Sequence, residues 1–211
     1  MKKFSLIIFL LLLIACSSPE KSSIQVFSGN ALGTTFQIQF FHDEAINLEK
    51  AIDSTFRVLN QSLSTYIPTS DISRINQGDS TVIVDQQFID NFQTSKTIHQ
   101  ITDGYFDPSV GILVNAYGFG PMKYDIEMNS NSIDSLMRFV GYDKITLSTE
   151  NKIIKTHIET FLDFNSIAKG YAVDRLAAIL NQYQVEDYLV EVGVRLILPY
   201  YKIKQKTQAN K

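Results

Sequence analysis

The segment running from Leu162 to Asp174, LDFNSIAKGYAVD, constrains the fold more than any other. A short apolar run from Phe161 to Phe164 leads into a helical pattern. Ala168, Ala172, Leu176, Ile179, Leu180 and Tyr183 recur at one face of a 3.6-residue period. Asn165 or Ser166 is expected to cap that helix, because either side chain can accept from its free N–H groups. Lys169 then falls near the positive end of the helix dipole, where a cation gains nothing locally. A helix N-terminus with a lysine beside it suits a phosphate. The same residues also suit an ordinary strand-to-helix junction with a surface lysine.

The 211 residues have ordinary apolar and charged fractions, so a single soluble domain or slightly more is expected. A net charge of −3 gives no basic footprint for nucleic acid, and none is expected as a partner. Residues 1–15 read as a leader rather than as fold. Lys2-Lys3 precedes an apolar run from Phe4 to Ala15, too short for the roughly 20 residues a membrane span needs. Leu13-Ile14-Ala15-Cys16 has the pattern of a bacterial lipobox, with Cys16 as the lipidated residue. Cleavage near Ala15 with a free Cys16 thiol is the alternative. Residues 16–30 are then expected to be a polar tether, and the protein to be exported and lipid-anchored at a bacterial membrane, facing the periplasm. With one cysteine, no disulfide framework can form.

Along the chain, Gly29-Asn30 is expected to break a hairpin, with Phe36, Ile38 and Phe40 on one face of its second strand. Leu48, Ile52, Phe56, Leu59 and Leu63 predict a helix over about 45–62. Pro68 forbids its continuation, and residues 63–76 read as a loop with a short helical turn. Phe88, Phe92, Ile98 and Ile101 predict a second long helix, ended by Asp103-Gly104. The glycine-dense run to Pro121 suggests backbone pressed against a flat surface, or a bend packed on core aromatics. Ile133 to Val140 predicts a third helix, closed by Gly141. Strands are expected at 144–148, 152–157 and 187–193.

The common catalytic devices are absent from the sequence. His42, His99 and His157 lack zinc-ligand spacing. No G-x-S-x-G, G-x-G-x-x-G or P-loop is present.

Four stretches in order resemble the ApbE family of FAD:protein FMN transferases. These are Leu32-Gly33-Thr34-Thr35, residues 63–76 with Leu63-Ser64-Thr65-Tyr66, residues 102–111 with Tyr105-Phe106-Asp107-Pro108, and residues 162–174. Leu32 stands where the family has Met. The resemblance implies an α+β, ApbE-like (T-fold-related) domain, N-terminal part only, over residues 31–193. It implies Mg2+-dependent transfer of FMN from FAD to a Thr or Ser hydroxyl of an acceptor protein, such as a membrane redox complex subunit. By the same resemblance Leu32, Tyr66, Tyr105, Phe106, Asp107, Asp163 and Lys169 would hold FAD, and Ser166 would contact the metal. FAD pyrophosphatase activity and flavin binding without catalysis are the other readings. Family members continue past the Val-Glu-Val-Gly strand with a second Gly, a Glu and a later Asp-x-x-x-Thr metal site. Here Val194 follows Gly193, so residues 194–211 read as an aberrant, frameshifted tail, and the chain alone is expected to be inactive.

Overall fold

The computed structural model describes residues 23–198. Residues 1–22, with Cys16 and the leader, lie outside the described residues, as do residues 199–211. Strands β1 (Ser23–Ala31) and β2 (Thr34–His42) form a hairpin. Its two-residue turn is Leu32-Gly33, with φ of 51° and 71°, the left-handed pair that suits the twist of a tight hairpin. The expected break at Gly29-Asn30 is therefore corrected. Gly29 pairs with Phe36 in mid-ladder, and a Cβ there would lie 2.8 Å from the Phe36 ring. That glycine makes room for an aromatic and does not turn the chain. The expected tether over 16–30 is also corrected from Ser23 onward, where ladder pairing with His42 begins.

Helix α1 (Glu49–Leu63) buries Ile52, Phe56, Leu59 and Leu63, as the spacing predicts. The short α2 (Asp71–Asn76) is capped by Ser70, whose Oγ accepts from the Ser73 amide at 3.2 Å and donates to the Ser64 carbonyl at 2.6 Å. Helix α3 (Gln86–Ile101) is capped by Asp85. Its buried face carries Phe88, Asn91, Phe92 and Ser95, whereas Ile101 is exposed. Helix α4 (Gly111–Ala116) was not expected from the glycine-dense run. Gly111 lies against Phe161, and a Cβ would stand 2.4 Å from that ring, so the bend packs on a core aromatic. Helix α5 (Ser130–Met137) and the β3 (Ile145–Leu147) and β4 (Ile153–Lys155) hairpin follow.

Helix α6 (Asn165–Gln182) buries Ala172, Val173, Leu176, Ala177 and Leu180. It packs on α1 and on β5 (Tyr188–Val192). A four-stranded antiparallel sheet runs β1-β2-β5-β6, with β6 at Arg195–Ile197. The first residues expected to be aberrant are thus part of the sheet. Gly193, at φ 63°, allows the chain to turn back so that Val192 pairs with Arg195. The inward residues Phe36, Ile38, Phe40, Val190 and Val192 alternate with outward ones. They form a core with the helices that includes an edge-on Phe88–Phe164 pair, centroids 5.3 Å apart. No helix among the described residues is long and apolar enough to cross a membrane.

Candidate functional site

The start of α6 gathers three separated stretches of sequence. Val110 forms a parallel bridge with Phe161, and the Asp163 amide donates to the Pro108 carbonyl at 2.8 Å. The Asn76 side chain closes on the Leu162 peptide from both sides, accepting its N–H at 2.8 Å and donating to its carbonyl at 2.9 Å. Asn165 Nδ2 reaches the Thr65 hydroxyl at 3.2 Å. Residues 63–76, 107–111 and 162–165 therefore meet at one helix end.

Neither Asn165 nor Ser166 caps the helix, contrary to expectation. Both are already helical, the cap position is Phe164, and the satisfying acceptor is Asp163. Its carboxylate takes the Asn165 amide at 2.6 Å and Asn165 Nδ2 at 3.0 Å. Burial pushes the Asp163 carboxyl above its usual 3.8, while the Asn165 bonds and the Lys169 charge pull it back. The sign follows from linkage. A carboxyl that holds its proton more tightly when folded contributes stability at low pH, and that contribution is lost as pH rises through the folded value. Unfolding free energy is expected to fall relative to Asp163→Asn as pH climbs from about 3.8 through the elevated pKa. Urea titrations of both proteins at several pH values would check the difference.

A cleft of about 540 Å³ opens beside this helix end, between α1, the β1–β2 turn and α6. Leu32, Tyr66, Asn165 and Lys169 line it, with Ser64 and Ala168. Lys169 is the fifth residue of α6, just past its first turn. Tyr66 is 60 % exposed, and its hydroxyl donates to the Phe119 carbonyl at 3.3 Å. Leu32 adopts a left-handed backbone that costs a non-glycine residue roughly 1 kcal/mol. Replacing it with Gly is expected to change stability by less than about 1 kcal/mol, since relief of that strain offsets lost apolar contact. Chemical denaturation measures that balance.

Tyr105, Phe106 and Asp107 do not line this cleft. Tyr105 is 97 % exposed. The Phe106 carbonyl is bonded to His99 Nδ1 at 2.8 Å. Asp107 is engaged with Ser109 and Tyr142. Asn76 and Thr65 shape the site yet were not singled out, and Asn165 was expected only as a cap, because nothing in their spacing reveals that their side chains meet backbone or one another across the fold. A second cleft, about 520 Å³, lies by the β3–β4 hairpin and contains Lys152 and Lys155, none of the residues the sequence pointed to.

Ser166 is exposed. Among the described residues no three His, Cys, Asp or Glu side chains assemble as a metal-binding group. The Ser166 and Asp163 oxygens fall well short of the six that Mg2+ takes. The described residues do not fit a complete magnesium site.

The fold and this cleft define a mixed α+β domain whose candidate ligand site sits at a helix N-terminus. The chain belongs to the ApbE family, whose model matches residues 32–198. It is 32 % identical over 192 residues to the FAD:protein FMN transferase of Vibrio cholerae, covering 87 % of this chain and 56 % of that relative. The Haemophilus influenzae enzyme of the same name is 30 % identical over 193 residues, covering 86 % and 55 %. The solved structure of the flavin transferase ApbE from Vibrio cholerae matches with a TM-score of 0.78 and 30 % identity, over 84 % of this chain and 60 % of that one. The chain spans little more than half the length of the curated relatives it matches. The family match runs through β6, five residues past the expected domain end at 193.

Proposed function

We propose that the cleft binds FAD, and that the activity to which this chain contributes is transfer of FMN from FAD to a Thr or Ser hydroxyl of an acceptor protein. Convergence of three sequence stretches on the helix end beside the Lys169-lined cleft carries the reading. The names of the family's characterised relatives supply the reaction. A cleft of this volume falls in the range that encloses a cofactor-sized ligand. Tyr66 offers an aromatic face for a flat ring, and Leu32 an apolar wall. Lys169 brings positive charge toward the diphosphate, and Asn165 fixes the helix end that faces it.

In the transfer, the acceptor hydroxyl gives up its proton to solvent as its oxygen bonds to the phosphorus of the FMN half, the bridging P–O bond breaks, and AMP leaves with its electron pair. This is phosphoryl-type chemistry, in which positioning and charge stabilisation supply most of the rate. Magnesium dependence belongs to the same family-based reading. Lipid anchoring at Cys16, a periplasm-facing location and a membrane-bound redox acceptor also belong to the reading. The anchor and the location are supported by the Leu13–Cys16 pattern and the apolar leader, and the redox acceptor by the family resemblance alone. Radiolabelled palmitate incorporation that disappears in Cys16→Ser would test the anchor.

The decisive experiment incubates the chain with FAD and a threonine-bearing acceptor, and reads in-gel flavin fluorescence and AMP together. Quenching of flavin fluorescence with saturable affinity supports the cleft as the site. Labelling with equimolar AMP supports transfer by this chain. AMP without labelling would replace transfer with hydrolysis, and no flavin binding would overturn the reading.

A further inference from the structure

Lys155, the last residue of β4, ends among three carbonyls. Its Nζ donates to Ile158 at 2.8 Å, Thr160 at 2.9 Å and Asn76 at 3.3 Å. An ammonium has three N–H donors, and here each meets a backbone acceptor. One of them, the Asn76 carbonyl, closes the C-terminal end of α2, where helix carbonyls lack intrahelical partners and carry partial negative charge. Asn76 in turn grips the Leu162 peptide by both its N–H and its carbonyl. Leu162 is fully buried, and Asp163 follows it directly into the cleft's helix end. A second tie, from the Thr160 hydroxyl to the Phe139 carbonyl at 2.9 Å, steadies the same segment.

We infer that Lys155 and Asn76 are positioning residues, a clamp behind the site that sets where Asp163 and the first turn of α6 stand. Neither residue lines the cleft. Lys155 borders the separate cleft on the hairpin side. Its amine, held down to about 8 by burial against the raising influence of Glu159, is still protonated at neutral pH and so retains all three donors. Losing the ammonium leaves three buried-side carbonyls without that partner, and the 158–162 segment without its link to α2. The effect on FAD affinity rests on the proposed function, whereas the effect on local order does not.

Hydrogen–deuterium exchange on the whole chain, without ligand, reads the clamp directly. Lys155→Met is expected to raise exchange in peptides spanning 160–168 about tenfold while the β1–β2 hairpin keeps its rate, the signature of local opening. Lys155→Arg keeps the charge and donors in a planar fork and should recover part of the protection, leaving exchange below that of Lys155→Met. Should Lys155→Met not fold, Asn76→Asp removes the single amide donor to the Leu162 carbonyl and should raise exchange in the same peptides. FAD titration by flavin fluorescence should show affinity falling about fivefold in Lys155→Met and recovering in Lys155→Arg, which a general loss of stability would not produce. Unchanged exchange at 160–168, a uniform rise across the chain, or an arginine variant no better than methionine would overturn the clamp. Normal clamp behaviour with no FAD binding in the unaltered chain would count against the proposed function alone.

Discussion

Asp107→Ala is expected to lower the unfolding free energy by about 3–4 kcal/mol, the largest effect foreseen for any polar residue here. The carboxylate is a junction. Oδ1 accepts from the Ser109 amide at 2.8 Å and the Ser109 hydroxyl at 2.6 Å, while Oδ2 accepts from the Tyr142 amide at 3.1 Å. His99 Nδ1 stands 3.6 Å from Oδ2. Ser109 Oγ accepts in turn from the Gly141 amide at 2.7 Å. Ser109 is fully buried and Tyr142 nearly so, so donors stripped of this acceptor find little water. Each such donor costs about 1–3 kcal/mol, with more when the lost partner is charged. Asp107→Asn keeps acceptor capacity on one oxygen and should lose about half as much. Equilibrium urea unfolding measures both. A loss below about 1 kcal/mol would show that the carboxylate is not a structural tie and would return it to a role facing ligand.

The contrast between Asp107 and Lys169 shows what the sequence can and cannot disclose. Helices α1, α3 and α6 are written in apolar spacing, because a helix that buries one face must repeat its apolar residues at helical period, whereas α5 carries the spacing but buries none of its residues fully. The inward alternation of β2 is equally plain. The turn between β1 and β2 was misplaced because Gly29 and Gly33 look alike in a sequence. Only the ladder shows that one accommodates Phe36 and the other adopts a left-handed backbone. Helix α4 was missed because six residues carry too little periodicity, with only Gly111, Ile112, Asn115 and Ala116 turned inward. Leu32, Tyr66 and Lys169 were brought together by resemblance, and the fold places all three on one cleft. Thr65 and Asn76 escaped notice, and Asn165 was read only as a cap, for a different reason. Their role is a hydrogen bond between residues 86 or 100 positions apart, and a pairing of that kind leaves no local trace.

Lys169→Met should weaken FAD binding about 10- to 100-fold while leaving unfolding free energy nearly unchanged, because a charge-assisted hydrogen bond to phosphate contributes roughly 1.5–3 kcal/mol. Local structure gives no reason to keep a cation at this position. It sits close to the positive end of α6, where the dipole opposes it. The acid that senses it is Asp163, already engaged by Asn165. Removing the ammonium therefore costs the fold little, but it deletes a positive charge from the cleft lining. Lys169→Arg preserves charge with a different reach and should retain most of the affinity. The same substitution has a second, independent signature. Without Lys169 one of the influences lowering the Asp163 pKa is gone, so that carboxyl should titrate higher still, and the pH at which its stability contribution is lost should move upward. Fluorescence titration with FAD and pH-resolved unfolding read the two effects separately. Intact affinity in the methionine variant would remove the lysine from the diphosphate site, whereas weakened affinity together with an upward Asp163 titration would place phosphate, lysine and aspartate in one electrostatic unit at the head of α6.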